Sequence, residues 1–365
     1  MKKILYVITS LDYGGTQKQL YYLLKFLLKE RKKDYSFSVV SLKKEGRLKN
    51  KFFSLGVDIF DLGLPLHTSF LSLFLLPLAV LKFWLLVIKI KPQIIHSFLF
   101  QANIFSRMVK VFLPNCKVIC SERVAEKQKL WQGLIYRITN FLVDKIVVNS
   151  YELKDFVLRT QGVNENKVVV VPNMIDEEEV RITKSKEEIR DELRVDKNKF
   201  LVVSVGRLHK QKGYDLLLEI VRKVKGDNIV FVVVGDGEEA EYLRKKVGEY
   251  DIGDCVKFVG YRENVYDYIN AADLFLLTSY WEGFPNVVLE AMLLKKMVLS
   301  TSVEGVSEIL REKCIISLSL PREKIVECFV KKIRSILEKK FIFEGDFELT
   351  NFLPVSVVEK ILLLY

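Results

Sequence analysis

The sequence predicts an α/β protein made of two doubly wound parallel sheets in tandem. Three observations carry that prediction. Short β-branched runs alternate with longer helical patterns along the whole chain, the signature of parallel strands joined by crossover helices. At 365 residues the chain is longer than one hydrophobic core comfortably fills. Half of the residues are hydrophobic, with 18 Gly and 8 Pro, which excludes a collagenous, disordered or low-complexity chain.

The first strand is expected at Ile4 to Thr9. The two lysines before it resemble the start of a signal peptide, but the apolar run is short and meets Asp12 with no small-residue cleavage site, so a buried strand in a cytoplasmic protein is the reading. Strands follow at Phe37 to Leu42, Val57 to Asp61, Ile94 to Ser97, Val118 to Ser121, Lys145 to Asn149 and Val168 to Val171. After the Pro172-Asn173 turn, a charged stretch from Asp176 to Lys199 lacks strand character and reads as a linker. The second series is expected at Phe200 to Val205, Ile229 to Val234, Val256 to Val259, Leu274 to Thr278, Val298 to Thr301 and Cys314 to Ser317. Residues 1–175 form one Rossmann-like domain in this reading and 176–345 another, with a central cleft between them. Ligands of such sheets bind beyond the carboxyl ends of the strands, so functional residues should follow strands.

The net charge of +11 is uneven. Residues 1–175 hold 27 Lys and Arg against 12 Asp and Glu, whereas the remainder holds 30 against 34. A basic first half suits a polyanion or an anionic membrane surface, and no helix-turn-helix, zinc finger or RNP-type strand accompanies it, which argues against nucleic acid. Ser69 to Ile90 carries only Ser69, Ser72, Lys82 and Lys89 as polar groups in 22 residues. That length could span a bilayer, but a span would split strands that must pair in one sheet. It reads as a helix on a membrane surface or as an unusually apolar core helix. The five cysteines form no C-x-x-C pair, and no H-E-x-x-H or His/Cys cluster is present, so neither a disulfide framework nor a metal site is expected.

Three constellations follow strands. In EGFPNVVLEAM, Glu282 lies in a loop and Glu290 in a helix that Pro285 should open; its N–H groups would receive phosphate and Glu290 could hold a ribose diol. In GRLHKQKG, Arg207 offers a planar fork and Lys212 a mobile point charge for a diphosphate. The turn at Gly14 and Gly15 lets backbone approach a ligand and starts a helix near Thr16, without the G-x-G-x-x-G of a dinucleotide site. Gly235-Asp236-Gly237 reads as a turn, because Glu238 and Glu239 after it would repel a pyrophosphate. His96 ends the strand Ile94 to Ser97 and is expected to point toward the cleft.

These motifs recur in order with IIHSFLFQAN, VVNSYELKDFVLRTQGV, VVVVPNMID, VVGDGEEAEYL and VKFVGYRENVYDYINAADLFLLTSYWEGFPNVVLEAM. In that combination the chain resembles the retaining glycosyltransferase family 4, of GT-B fold, over essentially its whole length. The resemblance implies an acceptor domain, a nucleotide-sugar domain and a last segment, 346–365, whose helix from Val355 crosses back onto the first domain. It further implies that Arg207 and Lys212 bind the donor diphosphate, Glu290 the ribose and Glu282 the sugar hydroxyls. Backbone of Gly283, Phe284, Pro285, Asn286, Val287 and Val288 would face the phosphates. Tyr261 and Arg262 would hold the base, Gly14 and Gly15 would approach the diphosphate and acceptor, and His96 would meet the transferred sugar. The donor would be a UDP-sugar rather than a GDP-sugar, with no cofactor or metal, and the acceptor a lipid-linked or oligosaccharide chain at the inner face of the cytoplasmic membrane. Two departures stand out: the glycine turn reads GGTQ where an acidic residue is common, and His96 lacks the second histidine of an H-x-H pattern. The alternatives are a nucleotide-sugar epimerase of the same fold and a non-catalytic nucleotide-sugar-binding partner.

Overall fold

The computed structural model describes residues 1–31, 34–44, 46–64, 70–123, 130–340 and 349–365, with the side chains of 70–74 and 130 outside the description. Ser69 and residues 346–348 of the expected crossover segment lie outside the described residues. The chain divides into two compact units, one of Met1–Met174 with Thr350–Tyr365, the other of Ile175–Leu349.

Unit 1 is a seven-stranded parallel sheet of β1 (Lys2–Ile8), β2 (Tyr35–Lys43), β3 (Asp58–Leu64), β4 (Ile94–Phe98), β5 (Lys117–Ser121), β6 (Lys145–Val148) and β7 (Val168–Val170), in the order β3-β2-β1-β4-β5-β6-β7. Its helices are α1 (Gly15–Arg31), α2 (Lys49–Ser54), α3 (Phe70–Ile90), α4 (Phe100–Phe112), α5 (Leu130–Thr139) and α6 (Tyr151–Gln161). Leu20, Leu23, Leu24 and Leu27 recur at helical spacing on α1 and are buried in the same core as Tyr6, Ile8, Val39 and Ile94. α6 shows how sequence sets its limits: Ser150 Oγ accepts from Leu153 N at 3.1 Å, and the helix stops at Gly162, whose φ of +58° is left-handed.

Unit 2 contains α7 (Lys186–Glu192), β8 (Phe200–Val205), α8 (Tyr214–Lys223), β9 (Ile229–Val234), α9 (Ala240–Glu249), β10 (Val256–Gly260), α10 (Val265–Ala271), β11 (Leu274–Leu277), α11 (Asn286–Leu293), β12 (Met297–Thr301), β13 (Ile315–Ile316) and α12 (Arg322–Leu337). Its six strands run parallel in the order β10-β9-β8-β11-β12-β13. In both units the order reverses beside the first strand, between β1 and β4 and between β8 and β11, which is where open α/β sheets place ligands. α13 (Pro354–Leu362) belongs to unit 1, burying Val357, Val358 and Ile361 in the core that holds α1.

The stretch expected as a linker is instead folded into unit 2. Ser185 and Glu188 form a reciprocal capping box that starts α7, and Ile189 is fully buried. Thr183 N donates to Asp267 Oδ1 at 2.7 Å, fixing the approach to α7 against α10.

α3 resolves the apolar segment into two faces. Ala79, Phe83 and Val87, four residues apart, are buried with Leu5, Val7 and Val40 of the sheet. Leu78, Leu81, Leu85 and Ile88 remain 47–57% exposed. Among the described residues no helix is long and apolar enough to cross a membrane.

Candidate functional site

In unit 2 the loops after β8 and β11 are tied together by backbone geometry. Gly213 has φ +60°, and a Cβ there would sit 2.0 Å from the carbonyl oxygen of Thr278, so only glycine permits this approach. The close contact is laced by Thr278 Oγ1 donating to Lys212 O at 3.1 Å and Tyr280 N donating to Gln211 O at 2.8 Å. It brings Lys212 Nζ to 2.6 Å from Glu282 Oε1. With their side chains 20% and 9% exposed, the two form a largely water-excluded ion pair. Ser279 Oγ donates to the same Oε1 at 2.7 Å, whereas Oε2 receives only a longer bond of 3.3 Å from Gln211 Nε2. Glu282 N donates to Glu304 Oε2 at 3.1 Å.

Arg207 lies two residues past β8 and is 67% exposed, its Nη2 2.8 Å from Glu238 Oε2. His209 Nε2 is 3.3 Å from the other oxygen of Glu238, and His209 Nδ1 accepts from Gln211 N at 3.0 Å. Glu238 therefore faces Arg207 and His209 of the β8 loop. The loop after β9 reaches them because Gly235, at φ +145°, packs where a Cβ would be 1.9 Å from Gly206 O. Gly235 N donates to Gly260 O at 2.9 Å, so Tyr261 and Arg262 follow directly beside this loop. Tyr261 is exposed, and Arg262 Nε donates to the Tyr268 hydroxyl at 2.9 Å.

α11 begins at Asn286, with Pro285 as the N-cap residue before it rather than in its first turn, and Pro285 provides no side-chain cap. Phe284, Pro285 and Val288 are buried, while Gly283, Asn286 and Val287 are half-buried. The Phe284 ring closes on Gly305, where a Cβ would lie 2.5 Å away. Glu290 sits one turn into α11 and is half-buried. Among the described residues no group of three or more His, Cys, Asp or Glu could hold a metal ion.

In unit 1, Gly14 and Gly15 are exposed in the loop after β1, and α1 starts at Gly15, one residue before the expected Thr16. His96 is fully buried in β4, with Nδ1 2.7 Å from the Tyr365 hydroxyl and Nε2 2.8 Å from Ser121 Oγ. Tyr6 hydrogen-bonds Tyr365 in turn at 2.7 Å, and Phe98 stacks on the imidazole at 4.6 Å. Burial, helped by the Arg123 charge, pushes the His96 pKa down to about 3. Its ring is neutral at any physiological pH.

Ser279, Gln211, Glu238 and Glu304 are site residues that motif reading missed. The signal available was position, since Ser279 follows β11 by two residues and Glu304 follows β12 by three.

Comparison with known proteins agrees with this division. The family model described as Glycosyltransferase Family 4 matches residues 13–179, and that described as Glycosyl transferases group 1 matches residues 185–347. A glycosyltransferase of Methanocaldococcus jannaschii is 28% identical over 63% of this chain, the match spanning only 56% of that relative's length. The N-acetylgalactosamine-N,N'-diacetylbacillosaminyl-diphospho-undecaprenol 4-alpha-N-acetylgalactosaminyltransferase of Campylobacter jejuni is 24% identical over 82% of this chain and 81% of its own. The crystal structure of Anabaena Alr3699/HepE in complex with UDP and glucose superposes with a TM-score of 0.82 at 18% identity, covering 99% of this chain and 98% of that one. With two consecutive family models accounting for nearly all of the sequence and two sheets of parallel strands beneath them, the chain belongs to the glycosyltransferases of family 4 and group 1, on the GT-B fold.

Proposed function

We propose that the protein transfers a sugar, a hexose or N-acetylhexosamine, from a nucleotide diphosphate sugar to a lipid-linked saccharide acceptor in glycan assembly. The observation that carries this reading is the convergence of Lys212, Arg207 and Glu282 with the start of α11 at the carboxyl ends of β8 and β11. Two cations and an uncapped helix start suit a departing diphosphate, because preorganised donors stabilise charge that develops only in the transition state. Glu282 Oε2, with its single long bond, is the oxygen assigned to a sugar hydroxyl. Glu290 is assigned to the ribose, and the end of β10 at Tyr261 and Arg262 to the base. UDP is favoured over GDP, in line with the UDP bound by the HepE protein.

The proposed chemistry is front-face substitution with retention. The acceptor hydroxyl attacks the anomeric carbon as its bond to the diphosphate oxygen breaks, and the hydroxyl proton passes to that oxygen. No protein nucleophile takes part, and no metal is needed because Arg207, Lys212 and helix N–H groups meet the charge. Activity should therefore survive EDTA; loss restored by magnesium or manganese would refute this. Incubation with UDP- and GDP-sugars and a polyprenyl-diphosphate-linked saccharide is the direct test. Sugar transfer supports the reading, epimerised donor points to an epimerase, and binding without turnover points to a non-catalytic partner.

Unit 1 is assigned to the acceptor and to an anionic membrane at the cytoplasmic face. From Phe70 to Phe112 the sequence contains no Asp or Glu. Leu81 and Leu85 of α3 and Val111 and Phe112 of α4 are more than half exposed. Between these helices lies an apolar groove of about 340 Å³ lined by Pro77, Trp84 and Met108. Lys82 and Lys89 are exposed on α3, each adding about 1 kcal/mol at an anionic surface. Sedimentation with anionic liposomes should exceed that with neutral ones, weaken at high salt and fall further in Lys82→Glu/Lys89→Glu. Equal binding to both vesicle types, or none, would refute docking.

A further inference from the structure

The amino ends of unit 2's strands, opposite the loops described above, enclose a second charged region. A cavity of about 1,090 Å³ opens there, walled by α7, the starts of β8 and β12 and the end of α12. Seven cationic side chains line it, Lys186, Arg190, Lys197, Lys199, Lys295, Lys296 and Arg334, against four carboxylates. Three of the carboxylates are already engaged. Asp273 binds Lys186 at 2.7 Å and Arg190 at 2.5 Å, Asp227 binds Arg334 at 3.0 Å, and Glu338 binds Lys340 at 2.7 Å. Lys197, Lys199 and Lys295 have no carboxylate partner among the described residues.

Two features show that this excess of positive charge is built in. Arg190 is only 5% exposed and is held by Asp273 and by the Lys199 carbonyl at 2.9 Å, yet its Nε has no partner among the described residues. A buried guanidinium N–H without an acceptor is uncommon in native proteins. The turn between α11 and β12 places Lys295 at φ +54°, a left-handed conformation that favours Gly or Asn. Lysine stands there nonetheless, next to Lys296. Burial lowers the pKa of Lys296, and the neighbouring Lys186 charge adds to this while Asp273 opposes it.

We propose that this cavity is a second anion site, taking a ligand that carries several phosphate charges. An arginine fork combined with mobile lysines matches clustered phosphate oxygens, and the volume exceeds that of a single phosphate. The site is separate from the donor loops. The six residues of β8 lie between the two, roughly 20 Å of strand at about 3.3 Å per residue. An anion held here would cross-link α7, the β8 start and α12, and would be felt as added stability of unit 2.

Inorganic tripolyphosphate is the probe, with inorganic phosphate as the single-charge-cluster control. Calorimetric titration and thermal unfolding would be run at low and at moderate salt on the wild type, Arg207→Ala, Lys197→Glu/Lys295→Glu and the milder Lys197→Gln/Lys295→Gln. Lys197 and Lys295 are exposed, so the fold tolerates their replacement. Tripolyphosphate should bind at least tenfold more tightly than phosphate, equally well in wild type and Arg207→Ala, and at least tenfold more weakly in the charge-reversed protein, with the Gln variant between. No binding to wild type would overturn the proposal. So would binding lost in Arg207→Ala and kept in Lys197→Glu/Lys295→Glu, which would assign the anion to the donor loops.

Discussion

β4 in unit 1 and β8 in unit 2 each lie beside the point where strand order reverses, yet what stands there differs. His96 on β4 is sealed beneath Tyr365, Tyr6 and Phe98, with both ring nitrogens occupied. Just beyond β8, Arg207 lies in solvent and Lys212 is paired with a carboxylate that a ligand's charge can rival. The same topology therefore produces a closed polar core in one unit and an exchangeable charge site in the other. His96 lies within β4 and is packed by Tyr6, Phe98 and the distant Tyr365, whereas Arg207 and Lys212 stand in the loop beyond β8.

Replacing Lys212 gives the widest separation between the two regions. Lys212→Ala is expected to lower the transfer rate by about 10²-fold or more, near 3 kcal/mol. It also leaves Glu282 buried without its cation, so the midpoint of urea unfolding should fall as well. Arg207→Ala should cost transfer comparably while leaving that midpoint unchanged, because an exposed ion pair contributes little to stability. Full turnover in either folded variant would remove the donor assignment.

His96→Ala is expected to behave in the opposite way. Unpairing the hydroxyls of Tyr365 and Ser121 should cost about 2–3 kcal/mol of stability, with turnover per folded molecule kept within a few-fold. A variant of native stability that has lost transfer would break the comparison and return His96 to the sugar. A smaller effect sharpens it. Because the folded His96 pKa is pushed down to about 3, the unfolded chain takes up this proton first. Stability is unaffected above pH 6.5 and declines as pH falls from 6.5 toward 3, by at most about 1.4 kcal/mol per pH unit. Unfolding midpoints at pH 7.5, 6 and 5 should show this slope in wild type and a shallower one in His96→Gln; equal slopes would mean another group titrates.

The positions of the strands along the chain were legible in the sequence, because buried parallel strands are continuous β-branched runs whatever surrounds them. That Arg207, Lys212 and Glu282 would fall in loops after β8 and β11 was legible for a related reason, since the loop that follows such a run is placed by the sheet. What the sequence hid depends on distant chain. Nothing near His96 announces that a tyrosine 269 positions later will reach its Nδ1. Ser279 and Gln211 look like ordinary turn residues until Gly213 draws the two loops together. The misread linker is of another kind. Its charge suggested solvent, although Ser185 followed three residues later by Glu188 is a helix-start signal.

The return of residues 350–365 to unit 1 has a consequence for biosynthesis. Unit 1 lacks α13 and Tyr365 until all of 175–349 has been translated, roughly 10–35 s at about 5–20 residues per second. During that interval Tyr6 and His96 have no Tyr365 hydroxyl to bond, and the α1 face that α13 covers is bare. Unit 2 is uninterrupted in sequence, whereas the core of unit 1 cannot close until a segment made after unit 2 has joined it.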